Sequence, residues 1–146
     1  MFNNILFVCT GNICRSPTAE YLMQSLLTQN NISISSAGLN AIIGSPIDAT
    51  AAQVLADNGI YYQSHTARQL QTSHLLDADI ILAMEKNHIN TILNLSPEIR
   101  GKVFLLGKWQ NDREIPDPYK KSRTNYDHTY RLIDEGVRAW VQRITS

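Results

Sequence analysis

The sequence predicts a three-layer α/β fold in which helices cover both faces of a parallel β-sheet. Short apolar runs, typical of buried strands, alternate along the chain with longer segments whose apolar residues recur at helical spacing. Such alternation produces parallel strands joined by helical crossovers. The 146 residues contain no repeat, linker or low-complexity segment. Residues 1–146 are therefore predicted to form a single domain with one core.

The first two elements are a buried strand and an amphipathic helix. Residues 5–8 form a short apolar run, and the residues after Pro17 carry apolar side chains on one helical face. We expect Asn30 and Asn31 to end this helix. The strand thus passes into the helix through a short loop.

An edge strand and a second helix come next. Residues 32–35 alternate isoleucine and serine, which predicts a half-exposed edge strand ended by residues 36–38. After a loop over residues 39–46, Asp48 suits the N-cap of a helix. Gly59 suits the left-handed position just past the end of that helix.

The rest of the chain repeats the alternation up to a long final helix. The predicted elements are a helical turn (residues 72–76), a central strand (79–84), a helix (86–94), a fourth strand (103–106) and the final helix (124–144). Residues 107–123 show neither helical nor strand period. An irregular segment of this length in a compact domain is usually functional, and this one contains Asp117.

Charge and composition exclude several function classes. The chain has 13 basic and 13 acidic residues and a formal net charge of zero, which argues against a nucleic-acid partner bound through bulk charge. The first residues lack a positive n-region, and the apolar run after them is too short for a signal peptide or a membrane helix. We therefore expect a cytoplasmic protein that does not insert into membranes.

Cysteine and histidine usage predicts neither a disulfide scaffold nor a metal site. Both cysteines, Cys9 and Cys14, lie in the loop after the first strand, whereas a disulfide scaffold needs more of them, spread along the chain. The four histidines have no zinc-ligand spacing and are predicted to be surface or hydrogen-bonded residues: His65, His74, His88 and His128. No metal or other cofactor is expected.

The loop over residues 8–17 combines a nucleophile with an anion site. Backbone N–H groups and the helix dipole favour anions in a loop that joins a strand to a helix N-terminus. The pKa of a cysteine such as Cys9 falls from about 8.5 into the range of roughly 3.5–7.5 in such settings. Arg15 adds a planar charged fork that can hold two phosphate oxygens. Ser16 is predicted to be the N-cap, and Pro17 the first helical residue.

The string Val-Cys-Thr-Gly-Asn-Ile-Cys-Arg-Ser-Pro over residues 8–17 resembles the phosphate loop of the low-molecular-weight protein tyrosine phosphatases. A distant second match, Asp117-Pro118-Tyr119, resembles the general-acid motif of that family. The resemblance extends from Ile5 to the last helix. It implies four strands in the order 2-1-3-4 and a phosphotyrosine phosphatase of the bacterial type.

The resemblance assigns chemical roles to these residues. Cys9 attacks phosphorus and forms a cysteinyl-phosphate, while Asp117 protonates the leaving oxygen and later activates water. The loop and the guanidinium of Arg15 neutralise the phosphoryl oxygens. The predicted phosphate-binding residues are Thr10, Gly11, Asn12, Ile13, Cys14, Arg15 and Ser16.

Several of these residues also admit simpler structural roles. By resemblance Ser16 also donates to the Cys9 thiolate, besides acting as a helix cap. Asn12 either orders the loop or is a turn residue that tolerates left-handed geometry. Asp117 precedes a proline, as turn formers do, although its pairing with the Cys9 loop favours the acid role.

The substrate ring needs apolar walls beside the loop. Tyr119 is predicted to form one wall, with an ordinary surface tyrosine as the alternative. Ile13 and Leu39 are predicted to form the others, with core packing as the alternative.

Other activities on this fold predict different residues. A thiol-dependent arsenate reductase needs cysteines outside the loop, and this chain has none. A phosphoarginine phosphatase carries, by resemblance, a smaller polar residue where Ile13 stands. A non-catalytic phosphate-binding module would lack the nucleophile or the acid. The resemblance to bacterial members implies a tyrosine-phosphorylated protein as partner, such as a tyrosine autokinase of capsule or exopolysaccharide export.

The second cysteine of the loop predicts redox sensitivity. A loop that curls round a phosphate brings its ends together, and a disulfide needs Cα atoms roughly 4.4–6.8 Å apart. A reactive thiolate is oxidised first to a sulfenic acid, which a nearby thiol traps. We therefore predict that peroxide produces a reversible Cys9–Cys14 disulfide, although Cys14 could instead simply pack as a small apolar residue.

Overall fold

The computed structural model describes residues 2–28 and 31–146. Its sheet has four strands in the order β2-β1-β3-β4, and every neighbouring pair is parallel. The strands are β1 (Asn4–Cys9), β2 (Ser33–Gly38), β3 (Ile80–Ala83) and β4 (Val103–Leu105). The predicted parallel sheet and its strand order are confirmed.

Helices pack on both faces of this sheet. The helices are α1 (Arg15–Leu26), α2 (Ala49–Asp57), α3 (Thr72–Asp77), α4 (Lys86–Leu95) and α5 (Arg123–Thr145). Because strand side chains alternate between faces, Ile5 and Phe7 pack with α1 and α5, whereas Leu6 and Val8 pack with α3 and α4. Helix α2 packs against α1 and α5.

Strand β1 places Cys9 in the middle of the sheet. It lies between β2 and β3, and its last residue is Cys9. The connection that follows β1 leads to β2 on one side of it, whereas the next connection leads to β3 on the other side of β1. This reversal of strand order opens a crevice at the carboxyl ends of the strands, where ligands bind in open α/β sheets.

The start of α1 differs from the prediction. The helix begins at Arg15 rather than at Pro17, and Cys14 holds the N-cap position without a side-chain cap hydrogen bond. The predicted N-cap role of Ser16 is therefore wrong, because its hydroxyl turns inward to other residues of the loop. The helix ends at Leu26, and the predicted helix breaker Asn30 lies outside the described residues.

Strand β2 is longer than predicted. Residues 36–38 were expected to end it, but they continue the pairing with β1 as far as Cys9 and Gly38. A Cβ atom on Gly38 would lie only 2.6 Å from the carbonyl oxygen of Thr10. Glycine at this position therefore lets the loop that follows β1 pass directly over the end of β2.

The cap signals around α2 are confirmed. The Asp48 carboxylate accepts a hydrogen bond from the backbone N–H of Ala51, and Gly59 has φ +73° just beyond the helix. A short 3₁₀ helix, Pro97–Lys102, was not predicted. Within the described residues, no helix is long and apolar enough to cross a membrane.

The segment between β4 and α5 is largely irregular, as predicted. It contains one short 3₁₀ helix, Lys108–Gln110, and ends where the Ser122 side chain caps α5. The backbone N–H of Ile115 donates to Met84 O, which ties the segment to the carboxyl end of β3. This contact brings Asp117 to the same edge of the sheet as Cys9.

Candidate active site

The predicted catalytic residues meet around one pocket of about 240 Å³. Its lining residues are Cys9, Thr10, Gly11, Ile13, Cys14, Arg15, Asn40, Ile42, Asp117 and Tyr119. Leu39, predicted as a wall, does not line it but packs against the core beside α3 and α4. Ile42, which is 44% exposed and which the sequence reasoning missed, provides apolar surface in its place.

Hydrogen bonds direct the Ser16 hydroxyl towards the sulfur of Cys9. The Asn12 side-chain amide donates to the hydroxyl oxygens of Ser16, at 2.8 Å, and of Ser36, at 2.9 Å. Since Ser16 accepts from Asn12, its own hydrogen is free for the Cys9 Sγ atom, which lies 3.0 Å from its Oγ. A hydroxyl donor at this distance stabilises a thiolate.

Asn12 orders the loop rather than merely tolerating its turn. It is fully buried and has φ +58°, in the left-handed region that asparagine tolerates. Its side-chain oxygen accepts from the backbone N–H of Arg68. Its carbonyl accepts from His65 Nε2 at 2.7 Å, and Tyr21 in turn donates to His65 Nδ1. Both the side-chain amide and the backbone carbonyl of Asn12 are thus hydrogen-bonded, which fixes the conformation of the loop.

Arg15 is anchored by groups from two other segments. Its guanidinium is 2% exposed and donates to Glu85 Oε2 at 2.5 Å and to the carbonyl of Ile115 at 2.8 Å. Its Nη2 atom lies 3.8 Å from Asp117 Oδ2. Sequence reasoning missed Glu85, although its position just after β3, at the ligand-binding edge of the sheet, is a usable signal.

The Glu85→Gln variant tests this anchor. We expect kcat/KM to fall by on the order of tenfold, because the neutral amide holds the guanidinium less firmly and small misplacements are costly in catalysis. Steady-state kinetics should be compared with those of Glu114→Gln, which removes an exposed carboxylate that contacts the backbone of Lys86 instead. Equal kinetics in the two variants would contradict the anchoring role.

His88 is hydrogen-bonded, as predicted, but to the loop itself. Its Nδ1 accepts from the backbone N–H of Glu85, so Nε2 carries the hydrogen that is donated to Thr10 Oγ1 at 3.0 Å. Burial and the nearby Arg15 charge lower the pKa of His88. The neutral imidazole therefore persists around neutral pH and steadies the rim of the pocket.

Asp117 and Tyr119 line the pocket from the long segment between β4 and α5, and both are exposed residues. The Asp117 side chain is 50% exposed, and its Oδ1 accepts from the backbone N–H of Tyr119. Asp117 thus makes the expected turn while its carboxyl group lines the pocket. The Tyr119 ring is 39% exposed and also lines the pocket, where a substrate ring can pack against it.

Cys14 is buried, and both cysteines are free. Burial and the nearby Asp48 charge raise the pKa of the Cys14 thiol well above its usual range. Cys14 is therefore a protonated thiol at neutral pH. It packs beside Tyr21 and Tyr126 at the base of the loop.

A half-buried carboxyl group, that of Glu20, ends the hydrogen-bond chain behind the loop. Ser36 donates to Glu20 Oε1 at 2.5 Å. Burial raises the pKa of Glu20 to about 7, although the Ser36 hydrogen bond and the Arg68 charge oppose this shift. Glu20 therefore exchanges its proton near neutral pH, at a position connected through Ser36 and Asn12 to Ser16.

Stability should depend on pH through Glu20. The unfolded chain releases this proton near pH 4.5 and the folded protein near pH 7. Between these values the folded state binds more protons, so the unfolding free energy should fall as pH rises, by on the order of 3 kcal/mol. Denaturant unfolding of Glu20→Gln should show this dependence flattened, whereas exposed Glu98→Gln should retain it. An unchanged slope in Glu20→Gln would contradict the assignment.

Within residues 2–28 and 31–146, no group of three or more His, Cys, Asp or Glu side chains is arranged to hold a metal ion.

Comparison with known proteins places this geometry in a family. The family model described as "Low molecular weight phosphotyrosine protein phosphatase" matches residues 4–146. The low molecular weight protein-tyrosine-phosphatase Wzb of Escherichia coli K12 is 46% identical over 146 residues, which cover 100% of this chain and 98% of Wzb.

Two solved structures are similar over nearly the whole chain. Vibrio vulnificus Wzb in complex with benzylphosphonate superposes with a TM-score of 0.92 and 42% identity, covering 98% of this chain and 99% of that one. The YwlE arginine phosphatase from Geobacillus stearothermophilus has a TM-score of 0.92 but 31% identity, covering 98% of this chain and 93% of that one. The fold is common to both activities, whereas the sequence is more similar to the tyrosine phosphatases.

Proposed function

The chain belongs to the low molecular weight phosphotyrosine protein phosphatase family, and we propose that Cys9, Arg15 and Asp117 perform its phosphotyrosine hydrolysis. The observation that carries this assignment is the convergence of a cysteine, an arginine and a carboxyl group on one pocket. The hydroxyl donor that Ser16 directs at the cysteine sulfur supports it further.

In the first step the Cys9 thiolate attacks phosphorus, and the bond from phosphorus to the tyrosine oxygen breaks. Asp117 gives its proton to the departing oxygen, so that tyrosine leaves neutral and a cysteinyl-phosphate remains. Backbone N–H groups at the start of α1 and the Arg15 guanidinium neutralise the phosphoryl oxygens. The Ser16 hydroxyl stabilises the sulfur when it carries negative charge.

In the second step water attacks the phosphorus of the cysteinyl-phosphate. The Asp117 carboxylate takes a proton from this water, and the sulfur–phosphorus bond breaks. Inorganic phosphate leaves, and the Cys9 thiolate is restored. Asp117 regains its proton in this step, so the enzyme returns to its starting state.

The pocket favours an aryl phosphate over phosphoarginine. Ile13, Ile42 and Tyr119 give its mouth apolar surface, which suits a phenyl ring better than a guanidinium group. The test is the ratio of kcat/KM for a phosphotyrosine peptide to that for the same peptide with phosphoarginine, measured with EDTA present. We expect the phosphotyrosine peptide to be preferred. A preference for phosphoarginine would overturn this assignment.

We further propose a tyrosine autokinase of polysaccharide export as the protein substrate, in a reducing cytoplasm. Similarity over the full chain to the protein-tyrosine-phosphatase Wzb supports a tyrosine-phosphorylated protein as substrate, and the autokinase is our choice within that class. The exposed side chains of Ile42 and Ile43 beside the pocket offer apolar surface for residues that flank a phosphotyrosine. Incubation with the phosphorylated kinase should release phosphate faster than incubation with an unrelated phosphotyrosine protein, and equal rates would contradict this choice.

Peroxide should inactivate the enzyme reversibly. Cys9 is oxidised to a sulfenic acid, and the Cys14 thiol displaces water from it to form a disulfide that added thiols reduce. The raised pKa of Cys14 makes this trapping slow, because the thiolate is the better nucleophile. We expect Cys14→Ser to keep much of its basal activity but to recover poorly after peroxide. Mass spectrometry that shows sulfinic Cys9 beside a free Cys14 at low peroxide would exclude the protective role.

A further inference from the structure

A second cleft, of about 480 Å³, lies between the edge strand β4 and the last turns of α5. We call it the distal cleft. Phe2, Phe104, Trp109, Trp140, Lys108 and Arg143 contribute to its walls, and none of them lines the catalytic pocket. We propose that the distal cleft binds a small aromatic anion, meaning a flat apolar ring that carries one carboxylate or sulfonate group.

The walls of the cleft have the apolar surface that such a ring needs. Phe104 and Trp140 form a packed base, with ring centroids 5.5 Å apart, and Trp109 meets Trp140 edge to face at 5.5 Å. Phe2 and Trp109 are 44% and 39% exposed, so both rings retain surface that a ligand can cover. The volume lies in the range of small-molecule sites, which are lined mainly by apolar and aromatic side chains.

Two cations stand over these rings. The Lys108 ammonium lies 5.5 Å from the centroid of Phe104 and 5.2 Å from that of Trp109, and the Arg143 guanidinium lies 3.6 Å from the Trp109 ring. Within residues 2–28 and 31–146, neither cation forms an ion pair with a carboxylate. Their donors are therefore available to a bound anion.

The other charged groups of the cleft are already engaged. Lys102 donates to the carbonyls of Leu76 and Ala78, and the Asp79 carboxylate accepts from the backbone N–H groups of Asn3 and Asn4. With three cations and one carboxylate, the cleft has a positive balance. Apolar walls and an excess of positive charge together favour an aromatic anion over a neutral or cationic ligand.

The test uses 2-naphthoate as the probe and 2-naphthamide as its uncharged match. The protein has two tryptophans, and both line the cleft, so the two indole N–H signals in ¹H–¹⁵N spectra report on this site. Inorganic phosphate is present throughout to occupy the catalytic loop. We expect 2-naphthoate to shift the Trp109 indole signal in a saturable manner, and 2-naphthamide to bind more weakly.

Charge-removing variants locate the binding site. We expect Lys108→Gln and Arg143→Gln each to weaken 2-naphthoate binding about two- to fivefold, as the loss of one exposed charge contact does. Arg138→Gln, which removes an arginine of the same helix that pairs with Asp134, should bind like the wild type. The spectra also show whether each variant is folded.

Three outcomes would overturn the proposal: no saturable indole shift, equal affinity for 2-naphthamide, or unchanged affinity in both charge-removing variants. None of these outcomes bears on phosphatase activity, because the catalytic pocket is a separate site. The proposal for the distal cleft and the proposal for catalysis can therefore be refuted independently of each other.

Discussion

Cys9→Ser is expected to abolish turnover while the fold and phosphate binding survive. The hydroxyl of serine is a far weaker nucleophile than a thiolate, and loss of a catalytic nucleophile costs on the order of 10⁴-fold or more in kcat. The backbone N–H groups of the loop and the Arg15 guanidinium remain in the variant. Hydrolysis of p-nitrophenyl phosphate without added metal measures the loss, and calorimetric titration with inorganic phosphate measures the retained binding.

The structure adds a control to this experiment. The Ser16 hydroxyl donates to the sulfur of Cys9, and this hydroxyl does not bond to substrate in the proposed mechanism. Ser16→Ala should therefore slow the enzyme without abolishing turnover, because one donor to the thiolate is lost. Appreciable activity in Cys9→Ser would remove Cys9 from the nucleophile role.

Asp117→Ala is expected to slow the hydrolysis of esters with poor leaving groups by about 10²–10⁴-fold. Esters with good leaving groups should lose much less, because they depart without a proton. The half-exposed carboxyl group lies at the pocket and is not buried in the fold, so stability should change little. A series of substituted phenyl phosphates, plotted against leaving-group acidity, measures the difference.

The pH profile gives an independent measure of the same role. Activity that needs Cys9 as a thiolate and Asp117 protonated should follow a bell-shaped curve. Asp117→Ala should lose the alkaline limb of that curve, whereas Asp112→Asn, in the same segment but outside the pocket, should keep it. An alkaline limb that persists in Asp117→Ala would identify another group as the acid.

Local patterns in the sequence were enough to predict the parallel sheet, the order of the elements and the loop that joins β1 to α1. Apolar runs and helical periodicity depend on neighbours along the chain, so they can be read without the fold. The resemblance of two short motifs supplied the strand order and the roles of Cys9, Arg15 and Asp117. The unusual length of the irregular segment over residues 107–123 also predicted that it is functional.

The boundaries at the site were less predictable, because tertiary contacts outweigh local preference there. Ser16 is a good helix cap by type, yet Asn12 and Cys9 draw its hydroxyl inward, and α1 begins earlier than expected. Residues 36–38 resemble a strand end, but pairing with β1 extends the strand through them.

The sequence by itself determined the fold class and the reactive loop, since both depend on residues close together in the chain. Only the tertiary structure showed which distant groups support that loop. Glu85 anchors Arg15 across 70 positions, and His88 reaches Thr10 across 78. Glu20 acquires its raised pKa because folding buries it. Such contacts and burial arise only when separate segments pack together, so no local pattern specifies them.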